Sequence, residues 1–375
     1  MSQDTIDQLL AGVTSITWQS MVMLVIGGVL LYLAIVRDYE PLLLLPIGAG
    51  AILANLPLSP MVDEGGLLSI LYDAGVGNEL FPLLIFIGIG ALTDFGPLLE
   101  NPRMILLGAA GQFGIFGVLL LALLIGFTRA ESASIGIIGA IDGPTSIYVS
   151  AQLAPHLLGP ITVAAYSYMA LVPVIMPPVM RALTTADERR IRMRPGGRAV
   201  SRRTRILFPI GVTVIVGTLV PYATPLVGSL MLGNLMRESH AVERLTGSAS
   251  NELTNIVTLF LGLAIGSTMV GTAFLQPGTL AILVLGILAF GLDTAAGILF
   301  AKVLNRLSGG TFNPLIGAAG ISAFPMAARV VQRVAQHDDF ENFPLMHAMG
   351  ANAAGQVAST VAGGVLLALV SGATL

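Results

Sequence analysis

Residues 139–146 read GAIDGPTS and stand in a stretch that is otherwise apolar enough for a membrane interior. Asp142 at the centre carries an ionisable side chain, which costs on the order of 3 kcal/mol or more at bilayer depth. Gly143 and Pro144 follow directly, and a proline inside a helix removes a backbone hydrogen bond and breaks the helix. The stretch therefore predicts a broken helix with a buried carboxylate at the break.

The composition is typical of a membrane protein. Of the 375 residues, 55% are hydrophobic and 10% are charged, and the mean hydropathy is +0.86. A water-soluble globule of this size does not have this composition, so the sequence indicates an all-α polytopic protein that lies in a lipid bilayer. Cysteine is absent, which excludes disulfides and thiolate metal sites. The four histidines are scattered and lack the spacing of metal ligands.

Basic residues are concentrated in one segment, because nine of the 18 Lys and Arg residues lie between Arg181 and Arg205. Short loops rich in Arg face the cytoplasm, so we expect residues 184–205 to form a cytoplasmic linker. A short basic loop between two spans is far more often a topology signal than a nucleic-acid site, and no nucleic-acid partner is expected. Alternation from this linker places residues 57–80, whose charges are all acidic, on the outside.

Apolar stretches near the length that crosses about 30 Å of hydrocarbon recur along the chain. The predicted spans are 19–36, 41–56, 81–98, 103–127, 160–182, 206–222, 225–238, 253–272, 279–305 and 345–372. The first twenty residues lack the basic flank of a signal peptide and are predicted to form an interfacial helix. Segments 131–157 and 308–337 are not clean spans. The alternation of sides works only if each is re-entrant, entering and leaving on one side.

The two halves, 1–183 and 206–375, then have the same plan of five spans with a broken segment before the last, starting on opposite faces. This pattern predicts an inverted repeat joined by the linker 184–205. The broken segments resemble each other, since GAIDGPTSIY and GGTFNPLIGAAGISAFP each have a Gly three residues before an Asp or Asn and a Pro just after it. Transporters with paired broken helices hold their substrate or ion near the bilayer midplane.

Asp142 and Asn313 mark the two breaks. Both residue types cap helices well, and capping would explain the breaks by itself. It does not explain an ionisable residue in one of them, so we favour a binding site. Carboxylate, amide and hydroxyl oxygens with carbonyls freed at the breaks suit a hard cation, and a single carboxylate suits a monovalent ion better than Ca²⁺. The hydroxyls considered are those of Thr145, Ser146 and Ser322. The residues predict a Na⁺ or H⁺ site.

Seven motifs in order along the chain resemble one known family. They are EPLLLLPIGAGAILANLP (40–57), GIGALTDFGPLLENPR (88–103), IGIIGAIDGPTSIY (135–148), AAYSYMALVPVIMPP (164–178), GNLMRESHAVERL (233–245), NPLIGAAGISAFPMAARV (313–330) and LMHAMGANAAG (345–355). On these motifs the chain is similar to the β subunit of the biotin-dependent, sodium-translocating decarboxylases of the oxaloacetate, methylmalonyl-CoA and glutaconyl-CoA type. A transporter that shared only the fold would not reproduce so many long motifs in this order.

The resemblance implies a multi-subunit pump in the inner (plasma) membrane of a prokaryote. A soluble carboxyltransferase subunit carboxylates biotin, and a biotin carrier protein or domain brings carboxybiotin to this chain. Here carboxybiotin is decarboxylated, a proton is consumed and Na⁺ moves outward. The other expected partners are a small membrane subunit of the γ or δ type and further copies of this chain, which would form a homo-oligomer within the complex.

The resemblance also implies roles for six residues. Those that match the family's residues for ion binding or coupling are Asp142, Tyr168, Asn313, Gly317, Ser322 and Arg329. The implied Na⁺ ligands are Asp142, Asn313, Gly317 and Ser322, and the implied catalytic residues are Asp142, Tyr168 and Arg329, with Arg329 holding carboxybiotin. The chain departs from the family at Ile141, where a small residue is expected, at Ala351, where Pro is expected, and in a shorter loop 57–80.

Several residues have a second interpretation. Tyr168 would donate to a carboxylate or shuttle a proton, or else belong to an interfacial aromatic belt. The guanidinium forks of Arg329 and Arg333 suit a planar carboxylate, but both residues also suit positive-inside anchoring. Asp94 is expected to cap a helix or pair with Arg103.

Two questions stay open on the sequence. Asp293 lies in mid-span with no nearby cation, and it is either a second ion ligand with Thr294 or a buried acid bonded to backbone. The inverted repeat by itself would also suit a freestanding Na⁺-coupled carrier of a small organic anion. The absence of a Met-Lys biotin-accepting motif means that biotin, if used, is carried on another chain, since Lys302 is the sole lysine.

Overall fold

The computed structural model describes residues 11–193 and 200–372, and every regular element within them is a helix. The α-helices, in chain order, are α1 (Trp18–Val36), α2 (Pro41–Asn55), α3 (Leu67–Leu71), α4 (Leu80–Leu92), α5 (Gly96–Glu100), α6 (Met104–Ala110), α7 (Phe113–Ile125), α8 (Arg129–Gly136), α9 (Gly143–Leu153), α10 (Leu158–Leu183), α11 (Ala186–Arg189), α12 (Arg202–Leu219), α13 (Thr224–Ser239), α14 (Glu243–Ser248), α15 (Thr254–Thr268), α16 (Gly271–Phe274), α17 (Pro277–Leu307), α18 (Met326–Asp338) and α19 (Leu345–Ser371). Shorter 3₁₀ or π-helical stretches are Tyr72–Val76, Ile137–Ala140, Pro155–Leu157, Pro221–Ala223, Ala249–Leu253 and Pro314–Ala319. The predicted all-α class is confirmed.

Two sequence predictions fall partly outside the described residues. The first half of the predicted interfacial helix, residues 1–10, is not described, and residues 11–14 form a helical turn ahead of α1. The middle of the Arg-rich linker, residues 194–199, is likewise not described. Both predictions stay predictions over those residues.

Among the described residues, five helical stretches are long and apolar enough to cross a membrane. They are Trp18–Val36, Met104–Ile125, Pro155–Leu183, Pro277–Leu307 and Leu345–Ser371. Leu67–Val76 and Leu80–Leu92 make a sixth if these two, which are bent by 62°, form one span. The other predicted spans coincide with α2, α12, α13 and α15, which have 15 to 18 residues. At 1.5 Å per residue, fifteen residues reach only about 22 Å. The membrane class is confirmed, whereas the number of ten spans stays a prediction.

Helices of the two halves pack on each other reciprocally, α2 on α15 and α13 on α4. A Cβ atom on Gly50 would lie 2.5 Å from the carbonyl oxygen of Leu263, and one on Gly90 would lie 1.9 Å from that of Leu230. Glycine at these two crossings lets the backbones touch, as is common where helices associate in a membrane. This paired packing of α2 on α15 and of α13 on α4 is compatible with the predicted inverted repeat, which stays a prediction.

The two ends of each broken segment lie close together. In the first broken segment (α8 to α9), the Glu131 carboxylate lies 2.9 Å from Nε2 of His156, beyond the other end. The second broken segment runs from Asn313 to the end of α18, and Asn342 follows it. The side-chain amides of both asparagines donate to the carbonyl oxygen of Arg189, across 3.1 Å and 2.9 Å. This proximity suits the re-entrant course predicted from the alternation of sides, and that course stays a prediction.

The first part of the linker docks onto the second broken segment through ion pairs. Arg189 pairs with Asp338, and Arg192 lies 2.6 Å from Asp339 and 2.9 Å from Glu341. The Arg189 guanidinium lowers the pKa of the Asp338 carboxyl below its usual value. The linker and the end of α18 therefore lie at one face, which the charge pattern predicts to be cytoplasmic.

A second ionic cluster at the linker's other end corrects one prediction. The expected partner of Asp94 was Arg103, but its carboxylate lies 3.9 Å from both Arg205 and Arg237. The reason is that α12 and α13 bring their arginines to the end of α4, where Arg237 also donates to the Leu92 carbonyl across 2.6 Å. The capping role is seen, because Asp94 accepts from the backbone amide of Gly96 across 2.8 Å.

Candidate ion site between the two broken helices

The first break is built around Ile141 and Asp142. Helix α8 continues as the 3₁₀ stretch Ile137–Ala140, Ile141 then takes a left-handed conformation with φ of 51°, and Asp142 caps α9. The Asp142 carboxylate accepts from the backbone amide of Thr145 across 3.2 Å and is buried. A β-branched residue rarely has positive φ, and such strain is concentrated at functional sites. The departure from the family pattern at Ile141 thus lies at the break itself.

The second break touches the first one. The backbone amide of Ser322 donates to the carbonyl oxygen of Ala140 across 3.0 Å. The carbonyl oxygens of Asp142 and Ala323 each accept from the amide four residues later, and each residue lies at or just before the start of the second half-helix of its segment. By this geometry Gly139–Pro144 corresponds to Gly320–Pro325. The sequence comparison instead matched Asp142 with Asn313, which stands at the start of the second segment and not at its break.

One face of α19 covers both breaks with polar side chains that the sequence reasoning missed. Asn352 donates to the carbonyl of Ile321 across 2.6 Å, and Gln356 donates to that of Ser322. The Ser359 hydroxyl donates to Oδ2 of Asp142 across 2.7 Å. Their spacing of four and three residues puts all three on one helix face. The available signal was these polar residues recurring at helical spacing among Ala and Gly in residues 350–364.

Two amide oxygens beside the breaks have no hydrogen-bond partner within the described part of the chain. They are Oδ1 of Asn352 and Oε1 of Gln356, and both side chains are buried. A buried acceptor without a donor is costly, and a bound cation would satisfy it. Together with the Asp142 carboxylate they form an oxygen-rich environment that fits Na⁺.

A cavity of ≈ 420 Å³ opens beside Asp142. Its polar lining includes Asp142, Ser322, Gln356, Tyr166 and Glu40, and among the described residues that line it there is no Arg, Lys or His. The cavity is therefore acidic, and it attracts cations and repels anions.

Tyr166, rather than Tyr168, lies at this cavity. A Cβ atom on Gly143 would lie 2.0 Å from Cζ of Tyr166, so the ring packs directly on the first break. The Tyr166 hydroxyl is buried and has no hydrogen-bond partner among residues 11–193 and 200–372. The Tyr168 hydroxyl donates to the carbonyl of Leu283 on α17. The predicted proton-transfer role of Tyr168 stays a prediction, and in this conformation its hydroxyl is engaged elsewhere.

Asn313 and Gly317 also lie apart from the cavity. The Asn313 amide donates to the carbonyls of Arg189 and Ile191 across 3.1 and 2.9 Å, and its oxygen accepts from the Leu315 amide. Gly317 lies against α17, where an added Cβ atom would lie 2.0 Å from the carbonyl oxygen of Gly297. Their predicted roles as Na⁺ ligands stay predictions. Of the predicted ligands, the structure brings Asp142 and Ser322 to one cavity.

Arg329 and Arg333 are exposed on α18. Among the described residues neither side chain has an ion-pair or hydrogen-bond partner. Arg329 lies one helical turn after Pro325, which lines the cavity. Most arginines near the linker are paired, so these two are available to an incoming anion.

Asp293 is bonded to backbone, one of the two alternatives left open by the sequence. Its Oδ1 accepts from the amide of Gly114 at the start of α7, and the residue is fully buried. Oδ2 has no partner and lies beside Gly139, where an added Cβ atom would be 2.6 Å away. The other alternative, an ion-ligand role with Thr294, stays open.

The chain matches known proteins over nearly its whole length. The family model of the Na⁺-transporting oxaloacetate decarboxylase beta subunit matches residues 19–370. The chain is 53% identical to methylmalonyl-CoA decarboxylase subunit beta of Propionigenium modestum, covering 93% of this chain and 94% of that protein. It is 51% identical to glutaconyl-CoA decarboxylase subunit beta of Acidaminococcus fermentans, covering 96% of each. It is 48% identical to oxaloacetate decarboxylase beta chain 2 of Salmonella typhimurium, covering 93% and 94%.

The fold and the site define a multi-pass membrane protein with an acidic cavity beside two broken helices. With these similarities, the chain belongs to the family of β subunits of the Na⁺-transporting, biotin-dependent decarboxylases. It is a membrane-bound subunit of a multi-subunit decarboxylase complex, with Na⁺ as its cargo and biotin carried on a partner subunit. This function fits the observations better than a freestanding carrier of organic anions.

Proposed function

We propose that this chain decarboxylates carboxybiotin and couples that reaction to outward Na⁺ transport through Asp142. The observation that carries the proposal is the position of this carboxylate. It is buried where the two broken segments meet, and none of the described residues that line its cavity is basic. An isolated carboxylate anion is strongly disfavoured there, so either Na⁺ or a proton must accompany it. Asp142 is thus a site at which the two ions exchange.

The ligand set proposed for Na⁺ combines groups from three elements. Asp142 contributes its carboxylate, the second break contributes Ser322, and α19 contributes the amide oxygen of Gln356. Ser359 positions the carboxylate by its hydrogen bond of 2.7 Å to Oδ2. Because each group comes from a different part of the chain, a relative movement of the broken segments would change the affinity for the ion.

Arg329 is proposed to hold the carboxylate of carboxybiotin. An unpaired guanidinium presents two parallel N–H donors, which match a planar carboxylate. When the N–CO₂ bond breaks, CO₂ leaves and the biotin nitrogen takes up one proton. Release of the Asp142 proton as Na⁺ binds would supply that proton. Asp142 and Arg329 are therefore the proposed catalytic residues, and Tyr168 stays a candidate for proton transfer.

The proposed partners are those of the family. They are a carboxyltransferase subunit, a biotin carrier protein or domain, a small membrane subunit of the γ or δ type, and further copies of this chain. The relatives act in decarboxylases of oxaloacetate, methylmalonyl-CoA or glutaconyl-CoA, and the carboxyltransferase would determine which acid is used. We also propose the division into inverted repeats 1–183 and 206–375, supported by the reciprocal packing of α2 on α15 and α13 on α4.

The test is Asp142→Asn in the reconstituted complex, with Na⁺ uptake and CO₂ release from carboxybiotin measured together. We expect both to be lost while the complex remains assembled, because the amide neither ionises nor exchanges a proton. The matched control is Asp63→Asn in the exposed loop 57–80, which should behave as wild type. Na⁺-dependent CO₂ release near the wild-type rate in Asp142→Asn would refute the proposal.

A further inference from the structure

The cavity beside Asp142 has a second carboxylate, which the mechanism above does not use. Glu40 lies in the turn between α1 and α2, with φ of 38° and ψ of 57°, and its side chain lines the cavity. Among the described residues, no hydrogen bond or ion pair engages this carboxylate. Burial raises its pKa above the usual value for Glu. An unpaired, half-buried carboxylate needs a counter-ion, and none of the described residues that line the cavity is basic.

The helix ends that surround Glu40 place it at the mouth of the cavity. Leu92 and Thr93 at the end of α4 and Thr254 at the start of α15 also line it. Arg237 donates to the Leu92 carbonyl across 2.6 Å, so this rim lies beside the arginine cluster of the linker. The charge pattern predicts that face to be cytoplasmic, which is the side from which Na⁺ must enter an outward pump.

Two uncharged polar groups on the cavity wall also have no hydrogen-bond partner among the described residues. The Tyr166 hydroxyl and the Gln356 amide oxygen are buried without hydrogen-bond partners, and both side chains line the cavity that Glu40 and Asp142 share. The wall between the two carboxylates therefore has oxygen atoms and no basic group.

We propose that Glu40 forms a separate entry site for a monovalent cation at the cytoplasmic mouth, from which the ion passes along Tyr166 to Asp142. The inference rests on the proposed function, because it takes Asp142 as the destination of the ion. A fixed negative charge at the mouth raises the local cation concentration and the rate of capture. Glu40 therefore governs the Na⁺ concentration that the pump requires, and not the chemical step.

The test measures CO₂ release against Na⁺ concentration in the reconstituted complex carrying Glu40→Gln. We expect the Na⁺ concentration for half-maximal rate to rise about three- to twentyfold, with the maximal rate little changed. This range follows from Coulomb attraction between unit charges about 6 Å apart at effective dielectric constants of about 80 down to 30. Glu40→Asp should recover part of the loss, since it keeps the charge. Glu100→Gln, which removes an exposed carboxylate that does not line the cavity, is the matched control.

A second measurement separates electrostatic capture from a packing role. Choline chloride screens charges without competing for an oxygen site, so it should raise the half-maximal Na⁺ concentration of the wild type more than that of Glu40→Gln. An unchanged half-maximal Na⁺ concentration in Glu40→Gln would overturn the entry site. So would a rate that falls by the same factor at every Na⁺ concentration, saturating ones included. Na⁺-dependent CO₂ release near the wild-type rate in Asp142→Asn would instead overturn the proposed function, whatever the result at Glu40.

Discussion

The backbone amide of Ser322 donates a hydrogen bond to the carbonyl oxygen of Ala140 across 3.0 Å, joining the two broken segments at their breaks. A direct backbone contact leaves no room for a side chain between the breaks, so side chains from α19 complete the polar environment. Asn352, Gln356 and Ser359 each bond to one of the two breaks. The site is therefore assembled by three parts of the chain that are distant in sequence.

Replacement of Gln356 by Leu should weaken Na⁺ binding. The change removes both the donor to the Ser322 carbonyl and the unpartnered amide oxygen. A lost hydrogen bond that leaves a buried group unsatisfied costs about 1–2 kcal/mol, or roughly five- to thirtyfold in affinity. Calorimetric titration of Na⁺ into the purified subunit measures this loss of Na⁺ affinity. Gln332→Leu on α18, whose amide bonds to the Asn342 carbonyl, is the control; equal affinities in the two variants would contradict the ligand role.

Asn313→Ala should loosen the linker and leave Na⁺ affinity little changed. The amide of Asn313 and that of Asn342 donate to the same two carbonyls, so Asn342→Ala is a natural companion. We expect both variants to lose about 1–3 kcal/mol of stability, read as similar falls in melting temperature. A fall in Na⁺ affinity confined to Asn313→Ala would show instead that Asn313 binds the ion.

Asp293→Asn should retain both stability and transport. Asparagine keeps an oxygen at the Oδ1 position, which accepts from the Gly114 amide, and removes only the charge. Asp293→Ala lacks that acceptor, so its free energy of unfolding should fall by about 1–3 kcal/mol. The variant should therefore unfold at a lower temperature. If Asp293→Asn folds normally but transports less Na⁺ per CO₂ released, the residue is a second ion ligand.

Arg329→Ala should raise the carboxybiotin concentration needed for half-maximal decarboxylation, without changing the affinity of the isolated subunit for Na⁺. Loss of a bidentate contact to a carboxylate is worth on the order of 1.5–3 kcal/mol, or roughly ten- to a hundredfold. Arg329→Lys should recover only part, because a point charge replaces a planar fork. Arg333→Ala is the matched control on the same helix. Lost Na⁺ affinity in Arg329→Ala with unchanged carboxybiotin dependence would place Arg329 in the ion site.

The two faces of the protein should label differently in intact cells. The chain has no cysteine, so Ser59→Cys in loop 57–80 and Ser201→Cys at the end of the linker each introduce a single thiol. A membrane-impermeant maleimide should modify the first and spare the second, because the linker is expected to be cytoplasmic. If only the Ser201→Cys variant is modified, the predicted orientation is reversed, and the cavity mouth at Glu40 faces the outside.

Local chemistry determined the class of this protein from its sequence. The free energy of inserting a segment into a bilayer is roughly the sum of contributions from its individual residues. Composition and apolar runs were therefore enough to indicate a helical membrane protein. The break at Asp142 was also visible, because Pro144 interrupts a helix whatever surrounds it. The pattern of arginines indicated which loops share a face, and the ion pairs of Arg189 and Arg205 link those loops.

Only the tertiary structure decided which side chains meet. Asn313 stands beside a proline as Asp142 does, but its amide is held by the carbonyls of the linker, more than 120 residues away in sequence. Tyr166 and Tyr168 are two residues apart on one helix, and a rotation of about 200° between them puts the first on the cavity and the second on α17. Such choices depend on how helices pack, since a contact between distant elements leaves little trace in the local pattern of either one.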